Sequence, residues 1–338
     1  MTSTVPVIRW GIIGAGDIAD RVMAPAMRAA PHAELVAIMR RDGSAAADFA
    51  RRHDVPRVYG SVEDIVADPD IQAIYVATPV DRHLPDTLAV AAQGKHVLCE
   101  KPMALNSQEG EQMRAAGERA GIRFMMCFYQ RFNARHRKIK QLLAEGAIGP
   151  VTAVRANFSG RSPDVPARWR HDPAQAGGGC YMDNASHCID LLRFLFGDIT
   201  AATAFVDTLA ARYTVEDSAS SLLRLANGAH AVVTSYWSTG DPDEYRNSLL
   251  EIQGTEGTII SAPLHEKFSR GTLTVATAQG EEVYEFEQST HYAVLEDFAV
   301  TVAEERTPAI TASDGIAAMR VVEAVYEAGR SGRLVQLA

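Results

Sequence analysis

Apolar residues follow one rhythm in the first 127 positions and another afterwards. In the first part, short unbroken apolar runs at 7–13, 35–39, 73–77, 96–99 and 123–127 alternate with helix-like stretches at 18–30, 81–93 and 107–120. A further short strand is suggested at 58–59. Runs that are apolar throughout suit strands covered on both faces. Strand–helix alternation with right-handed crossovers builds a doubly wound parallel sheet. The expectation for residues 1–127 is therefore an α/β domain with a doubly wound parallel sheet.

From residue 128 the pattern changes. A helical segment at 136–145 ends in Gly146-Ala-Ile-Gly-Pro150, and a strand is expected at 151–155. A loop rich in Gly, Pro and Arg (159–179) leads into one clear helix at about 181–196. Strand-like runs follow at 201–207, 218–225, 229–236, 248–253, 257–260, 272–276 and 282–286, with helices at about 292–305 and 313–330. Turns such as Asn227-Gly228 favour antiparallel hairpins between these strands. Residues 128–338 are thus expected to form an α+β domain with a large open antiparallel sheet.

Composition narrows the function classes. A chain of 338 residues suits two domains, each able to bury a core. Its 47% hydrophobic and 22% charged residues are those of a globular protein, and no apolar run is long enough to cross a bilayer. A formal net charge of -9 argues against nucleic acid as the main partner. The first residues show no basic and apolar leader pattern, so a cytoplasmic location is expected, with no membrane partner. Cys99, Cys127, Cys180 and Cys188 share no repeated spacing and read as buried thiols. His53, His136 and His230 read as surface residues.

Chemistry enters first at Gly14-Ala-Gly16-Asp17-Ile18-Ala19, the G-x-G-x-x-A form of the dinucleotide fingerprint. Gly14 allows the tight turn, Gly16 lets backbone approach a pyrophosphate, and Ala19 permits close helix–strand packing. The motif follows a strand and opens a helix, the context it requires, so residues 1–127 are expected to be an α/β Rossmann domain that binds NAD(P). At the end of the second strand, where NAD enzymes carry an acidic residue for the ribose, stands Met39-Arg40-Arg41-Asp42. Two guanidiniums suit a 2′-phosphate and favour NADP(H). Asp42 keeps NAD(H) open, because a shift in register would put it on the ribose. Thr78-Pro79 and Glu100-Lys101-Pro102 end two further strands, where ligands of open α/β sheets bind. Lys101 is therefore expected in the nicotinamide crevice.

A second constellation is Gly177-Gly-Gly-Cys-Tyr-Met-Asp183-Asn-Ala-Ser-His187-Cys-Ile-Asp190. Positions 183, 187 and 190 share one face of a helix that runs on into apolar Leu191 and Phe194. Ionisable groups on a face otherwise buried need a partner or a purpose. His187 has the intrinsic pKa to exchange the proton of a reacting alcohol. Asp183 would orient it or bind a substrate hydroxyl, and Lys101 would stabilise developing negative charge on oxygen. Asp190 reads as structural, with a helix-internal hydrogen bond. No ligand spacing completes a metal site, so no metal is expected.

Together these motifs resemble the glucose–fructose oxidoreductase / inositol dehydrogenase family, Gfo/Idh/MocA, over nearly the whole chain. The marks are the glycine loop, Thr78-Pro79 with His83, Gly94-Lys-His-Val-Leu-Cys-Glu100-Lys101-Pro102, Gln130-Arg131-Phe132, Trp169-Arg170, and the Gly-Gly-Gly…Asp183…His187…Asp190 segment. The resemblance implies a sugar, polyol or vicinal-diol substrate, with Lys101, Asp183 and His187 catalytic. It implies that Arg131, Trp169 and Arg170 lie near that substrate. The cofactor would be met by Gly14, Gly16, Asp17, Ile18, Arg40, Arg41, Thr78, Pro79, His83, Glu100 and Lys101. It also implies a homodimer or homotetramer built through the C-terminal sheet. Ala185 and Val80-Asp81-Arg82 depart from the family pattern, and Arg82 either narrows substrate choice or faces solvent. Two rival readings keep the fold: a glycosidase that oxidises its sugar transiently, and a non-catalytic regulator that binds NADP and a sugar.

Overall fold

The computed structural model describes residues 5–165, 168–238, 248–264, 270–287 and 290–337. Residues 1–4, part of the segment read for a leader, and 166–167 of the Arg-rich loop lie outside them. The chain divides into two compact units, Met1–Tyr129 with His291–Ile316, and Gln130–Thr290 with Ala317–Ala338. A late segment of the chain therefore belongs with the first unit.

The first unit runs β1 (Ile8–Ile13), α1 (Ala24–Ala29), β2 (Ala33–Met39), α2 (Gly43–His53), β3 (Arg57–Tyr59), α3 (Val62–Ala67), β4 (Ala73–Val76), α4 (Val80–Ala92), β5 (His96–Cys99), α5 (Ser107–Ala120) and β6 (Phe124–Met126). Its six strands form one sheet in the order β3-β2-β1-β4-β5-β6, with every pairing parallel. The order reverses between β1 and β4, and that switch point is where the glycine loop emerges. Central strands are buried on both faces, as their unbroken apolar runs require: all of β4 is buried, and Trp10 of β1 is fully enclosed. The first helix begins with a π turn, Ala19–Met23, before α1. Pro25 has no N–H to continue the ordinary ladder, and the wider turn accommodates the break.

The second unit runs α6 (Ala134–Ala144), β7 (Val151–Asn157), α7 (Pro173–Ala176), α8 (Ser186–Phe196), β8 (Ile199–Asp207), β9 (Ser218–Leu225), β10 (His230–Tyr236), β11 (Leu249–Gly254), β12 (Gly257–Ala262), β13 (Arg270–Thr277) and β14 (Gly280–Glu287). The chain closes with α9 (Thr290–Ala303), α10 (Ala312–Ser331) and β15 (Val335–Gln336). Nine strands make one open sheet, β14-β13-β12-β11-β7-β10-β9-β8-β15. It is mixed rather than wholly antiparallel, because β7 and β10 pair in parallel. Strand alternation is strict: β9 reads half-buried, buried, exposed, buried to its end. Phe298 of α9 covers the first unit's sheet, its ring 4.9 Å from that of Trp10.

No described helix is long and apolar enough to cross a membrane. All four cysteines are buried and free, as expected. Of the three histidines read as surface residues, His230 is exposed, His53 is half-buried against Asp20, and His136 is fully buried. His136 lies on the inward stripe of α6 with Arg135, Ile139 and Leu142, so helical position overrides residue type. Its Nδ1 lies 2.9 Å from the Gln130 carbonyl oxygen, and burial holds its pKa down at about 3.

Candidate active site

The glycine loop is built by steric necessity. Gly14 has φ +90°, and a Cβ there would stand 2.6 Å from the Thr78 amide nitrogen. No side chain fits between the ends of β1 and β4. At Gly16 a Cβ would meet only the Gly14 carbonyl oxygen at 3.9 Å, so this position opens onto free space at a helix start. That is room for a pyrophosphate to approach backbone N–H groups. Ala19 is fully buried where the helix meets the sheet, while Asp17 is exposed and Ile18 half-buried.

The end of β2 sorts the three charged residues that follow. Arg40 donates from Nη1 to the Ala15 carbonyl at 2.9 Å and braces the glycine loop. Asp42 is the N-cap of α2 and accepts from the Ala45 amide at 3.0 Å. Arg41 lines a cavity of about 350 Å³ with Met39, Ser61, Thr78, Pro79 and Arg82. The carboxylates of Glu63 and Asp86 share its wall. Arg82 donates to Asp86 at 3.1 Å, and Thr78 donates to the same carboxylate at 2.8 Å. Burial raises the Asp86 pKa, and these two donors work against that shift. Arg82, whose setting was open from sequence, thus stands beside Arg41 on the same cavity.

His83 is buried and joins two strand ends. One ring nitrogen lies 2.9 Å from the Thr78 carbonyl oxygen and the other 3.0 Å from that of Pro102. Desolvation lowers its pKa, so a neutral ring donates to one of these carbonyls at a time. Its work is to brace the loops carrying Thr78 and Lys101. Glu100 does likewise: Tyr75 Oη donates to one carboxylate oxygen at 2.5 Å, and the Lys101 amide donates to the other at 3.1 Å. Lys101 is half-buried and precedes a cis peptide bond to Pro102.

In the second unit the Asp183 segment is a π turn, Tyr181–Ala185, that runs into α8. The Gly177-Gly-Gly run is required there. A Cβ at Gly178 would lie 2.0 Å from the Tyr326 hydroxyl, and one at Gly179 would lie 1.9 Å from the Glu216 carbonyl oxygen. Glu216 was not anticipated from sequence. Its buried carboxylate accepts from the amides of Gly179 at 2.7 Å and Tyr181 at 2.9 Å, with Tyr326 Oη at 2.8 Å. Those bonds oppose the rise that burial imposes on its pKa. A carboxylate at the start of a helix is well placed for the backbone dipole. Its only sequence signal was an acidic pair, Glu216-Asp217, opening an apolar strand.

Asp183 is half-buried and its Oδ2 lies 3.6 Å from Arg170 Nε. Arg170 also sits over the Trp169 ring at 4.5 Å, so these three sequence-selected residues share one locale. His187 is buried at 4% exposure, its ring 5.0 Å from that of Phe158. Asp190 is fully buried and pairs with Arg131. Arg131 Nε lies 2.9 and 3.1 Å from the two carboxylate oxygens, and Nη2 lies 2.6 Å from Oδ1. This fork ties Arg131 to α8 three residues beyond His187.

A doubly wound sheet with its glycine loop at the switch point, joined to a mixed-sheet unit bearing an Asp–His helix, defines a nicotinamide-dinucleotide oxidoreductase. Comparison with known proteins gives the lineage. Residues 8–128 match the oxidoreductase family with NAD-binding Rossmann fold, and residues 136–260 match the GFO/IDH/MocA C-terminal domain. The chain belongs to the Gfo/Idh/MocA family. It is 31% identical to 1,5-anhydro-D-fructose reductase of Ensifer adhaerens, covering 97% of this chain and 98% of that protein. It is 32% identical to D-xylose 1-dehydrogenase (NADP(+)) 2 of Haloferax volcanii, over 97% and 99%. The structure of levoglucosan dehydrogenase in complex with NADH and levoglucosan is similar at a TM-score of 0.88, with 26% identity over 97% of this chain and 99% of that one.

Proposed function

We propose that the protein is an NADP-preferring dehydrogenase or reductase of a sugar, polyol or related vicinal diol. The observation that carries the cofactor preference is the division of labour after β2. Asp42 is engaged in capping α2, while Arg41 faces a cavity and Arg40 braces the glycine loop. Guanidinium groups at this position suit a 2′-phosphate, whereas a ribose hydroxyl calls for an acceptor. The substrate class is supported by the sugar-directed names of both relatives.

The bound nicotinamide supplies the acceptor or donor of hydride. In the oxidative direction His187 takes the hydroxyl proton as the carbonyl forms, and in reduction it returns a proton to the new alkoxide. Lys101 stabilises negative charge developing on that oxygen. Asp183 orients the imidazole or holds a neighbouring substrate hydroxyl. The Arg131–Asp190 pair anchors the helix that carries His187, and Trp169 and Arg170 contribute a planar, cationic wall suited to a polyol.

NAD use is the second reading, favoured by the NADH in the levoglucosan dehydrogenase complex and by the exposure of Asp42. Fluorescence titration with NADPH and NADH separates the two. The expected result is tighter binding of NADPH, and Arg40→Ala with Arg41→Ala should weaken NADPH at least about 10-fold more than NADH. Equal losses would count against the NADP preference.

A further inference from the structure

The first unit holds a cluster of metal-ligand side chains that hydride transfer does not use. Glu100 directly follows β5, Cys127 directly follows β6, and His291 opens α9, so three separate segments converge. A Glu100 carboxylate oxygen, the Cys127 sulfur and a His291 ring nitrogen all lie within 4.8 Å of one another, and all three residues are buried. Hydrogen bonding explains part of this arrangement. Tyr75 and the Lys101 amide satisfy the two Glu100 oxygens, and the Cys127 thiol also donates to that carboxylate.

His291 is the part left over. It is 7% exposed and its ring stacks on Tyr129 at 4.6 Å. Among the described residues the charge acting on it is that of Glu100. A ring nitrogen held this close to a thiol and a carboxylate brings a third donor atom to the pair. Sulfur, imidazole nitrogen and carboxylate oxygen are the three donor types that zinc takes from proteins.

We propose that Glu100, Cys127 and His291 form a binding site for a thiophilic divalent cation of the zinc class. Three protein ligands leave a fourth tetrahedral position for water. Bond lengths of about 2.0–2.3 Å place ligand atoms roughly 3.3–3.7 Å apart, so the trio closes by about 1 Å on binding. The Cys127 S–H bond breaks, its proton leaves to solvent, and the sulfur electron pair goes to the ion. Because Glu100 also receives the Lys101 amide, an ion at this site acts on the backbone that carries Lys101. The site lies wholly within one unit and does not rest on the proposed reaction.

The test uses full-length protein stripped with a chelator and then titrated with Cd²⁺, Co²⁺ or Zn²⁺ alone. Binding is read by thiolate-to-metal charge-transfer absorption and by competition with a chromophoric chelator, not by activity. One ion per chain, a Kd below about 1 μM and a thiolate band are expected. Cys127→Ser should abolish the band, and His291→Gln should keep it while weakening affinity at least about 10-fold. His291→Gln decides the matter should Cys127→Ser fail to fold, with thermal melting as the check on both. No bound ion, a bound ion without a thiolate band, a band that survives Cys127→Ser, or an unchanged affinity in folded His291→Gln would overturn the site.

Discussion

At the scale of single residues, similar side chains take different work from their surroundings. Arg131 and Arg170 both come from motifs linked to substrate, yet one is locked in a fork to buried Asp190 while the other lies half-buried beside Asp183. His187 and His136 are both buried histidines on helices, and they support different predictions. If His187 exchanges the substrate proton, His187→Asn should cut turnover at least about 10²-fold while NADPH affinity stays within about 2-fold. Steady-state kinetics with a parallel cofactor titration checks this, and unchanged turnover moves the role to another group.

His136 bears instead on stability. Burial is the largest cause of its depressed pKa of about 3, with Arg135 nearby adding to it. The unfolded chain protonates this ring near pH 6.5, but the folded protein does not until about pH 3. Protons therefore bind the unfolded state preferentially across that window, so stability is complete above it and falls as pH drops. The slope from one such group is about 1.4 kcal/mol per pH unit. His136→Gln should flatten the acid limb of a denaturation-versus-pH curve between pH 6 and 4 by about that amount. A limb of unchanged slope would mean that the ring is protonated in the folded protein.

At the scale of elements, the glycine run before the Asp183 turn matters more for packing than for flexibility. The Glu216 carbonyl oxygen occupies the place where a Gly179 side chain would begin. Gly179→Ala must push apart the helix start and the segment before β9 whose Glu216 carboxylate caps it, at a cost of about 3 kcal/mol. Gly43→Ala is the control, because nothing lies within 4 Å of a Cβ there. Denaturant midpoints should separate the two variants clearly, and equal midpoints would remove the packing argument. The Gly-Gly-Gly segment was legible as a place of close approach. Its partner was not, because Glu216 is 37 residues away and the acidic pair it forms with Asp217 does not say what it meets.

At the scale of the whole molecule, one face of the open sheet carries four exposed apolar residues on a row that also holds the Arg155–Glu251 ion pair. Leu222, Val232, Ile260 and Val283 are 45%, 40%, 40% and 56% exposed. Cross-strand register joins them in one line through Arg155, Glu251 and Thr274. We propose that this face is covered by a second copy of the chain, as the family resemblance implies, because apolar surface of this extent favours burial. Val232→Glu would place a carboxylate in the row between Leu222 and Arg155. Light scattering should then find a smaller assembly than for the unsubstituted protein, at unchanged far-ultraviolet circular dichroism. An unchanged mass would put the interface elsewhere.

The sequence alone determined the features that depend on neighbours in the chain. Unbroken apolar runs announced a parallel sheet, strand-like runs joined by turn signals announced a second, largely antiparallel one, and the glycine fingerprint located the dinucleotide loop. These could be read because periodicity and turn chemistry act over a few residues. Tertiary structure decided whatever depends on residues far apart. It made Asp42 a helix cap, bound Asp190 to Arg131 across 59 positions, and enclosed His136 in a stripe of α6. It also returned His291–Ile316 to the first unit, with His291 beside Glu100 and Cys127. The physical reason is that desolvation and charge pairing act through space, and a chain's own order says little about which side chains will meet there.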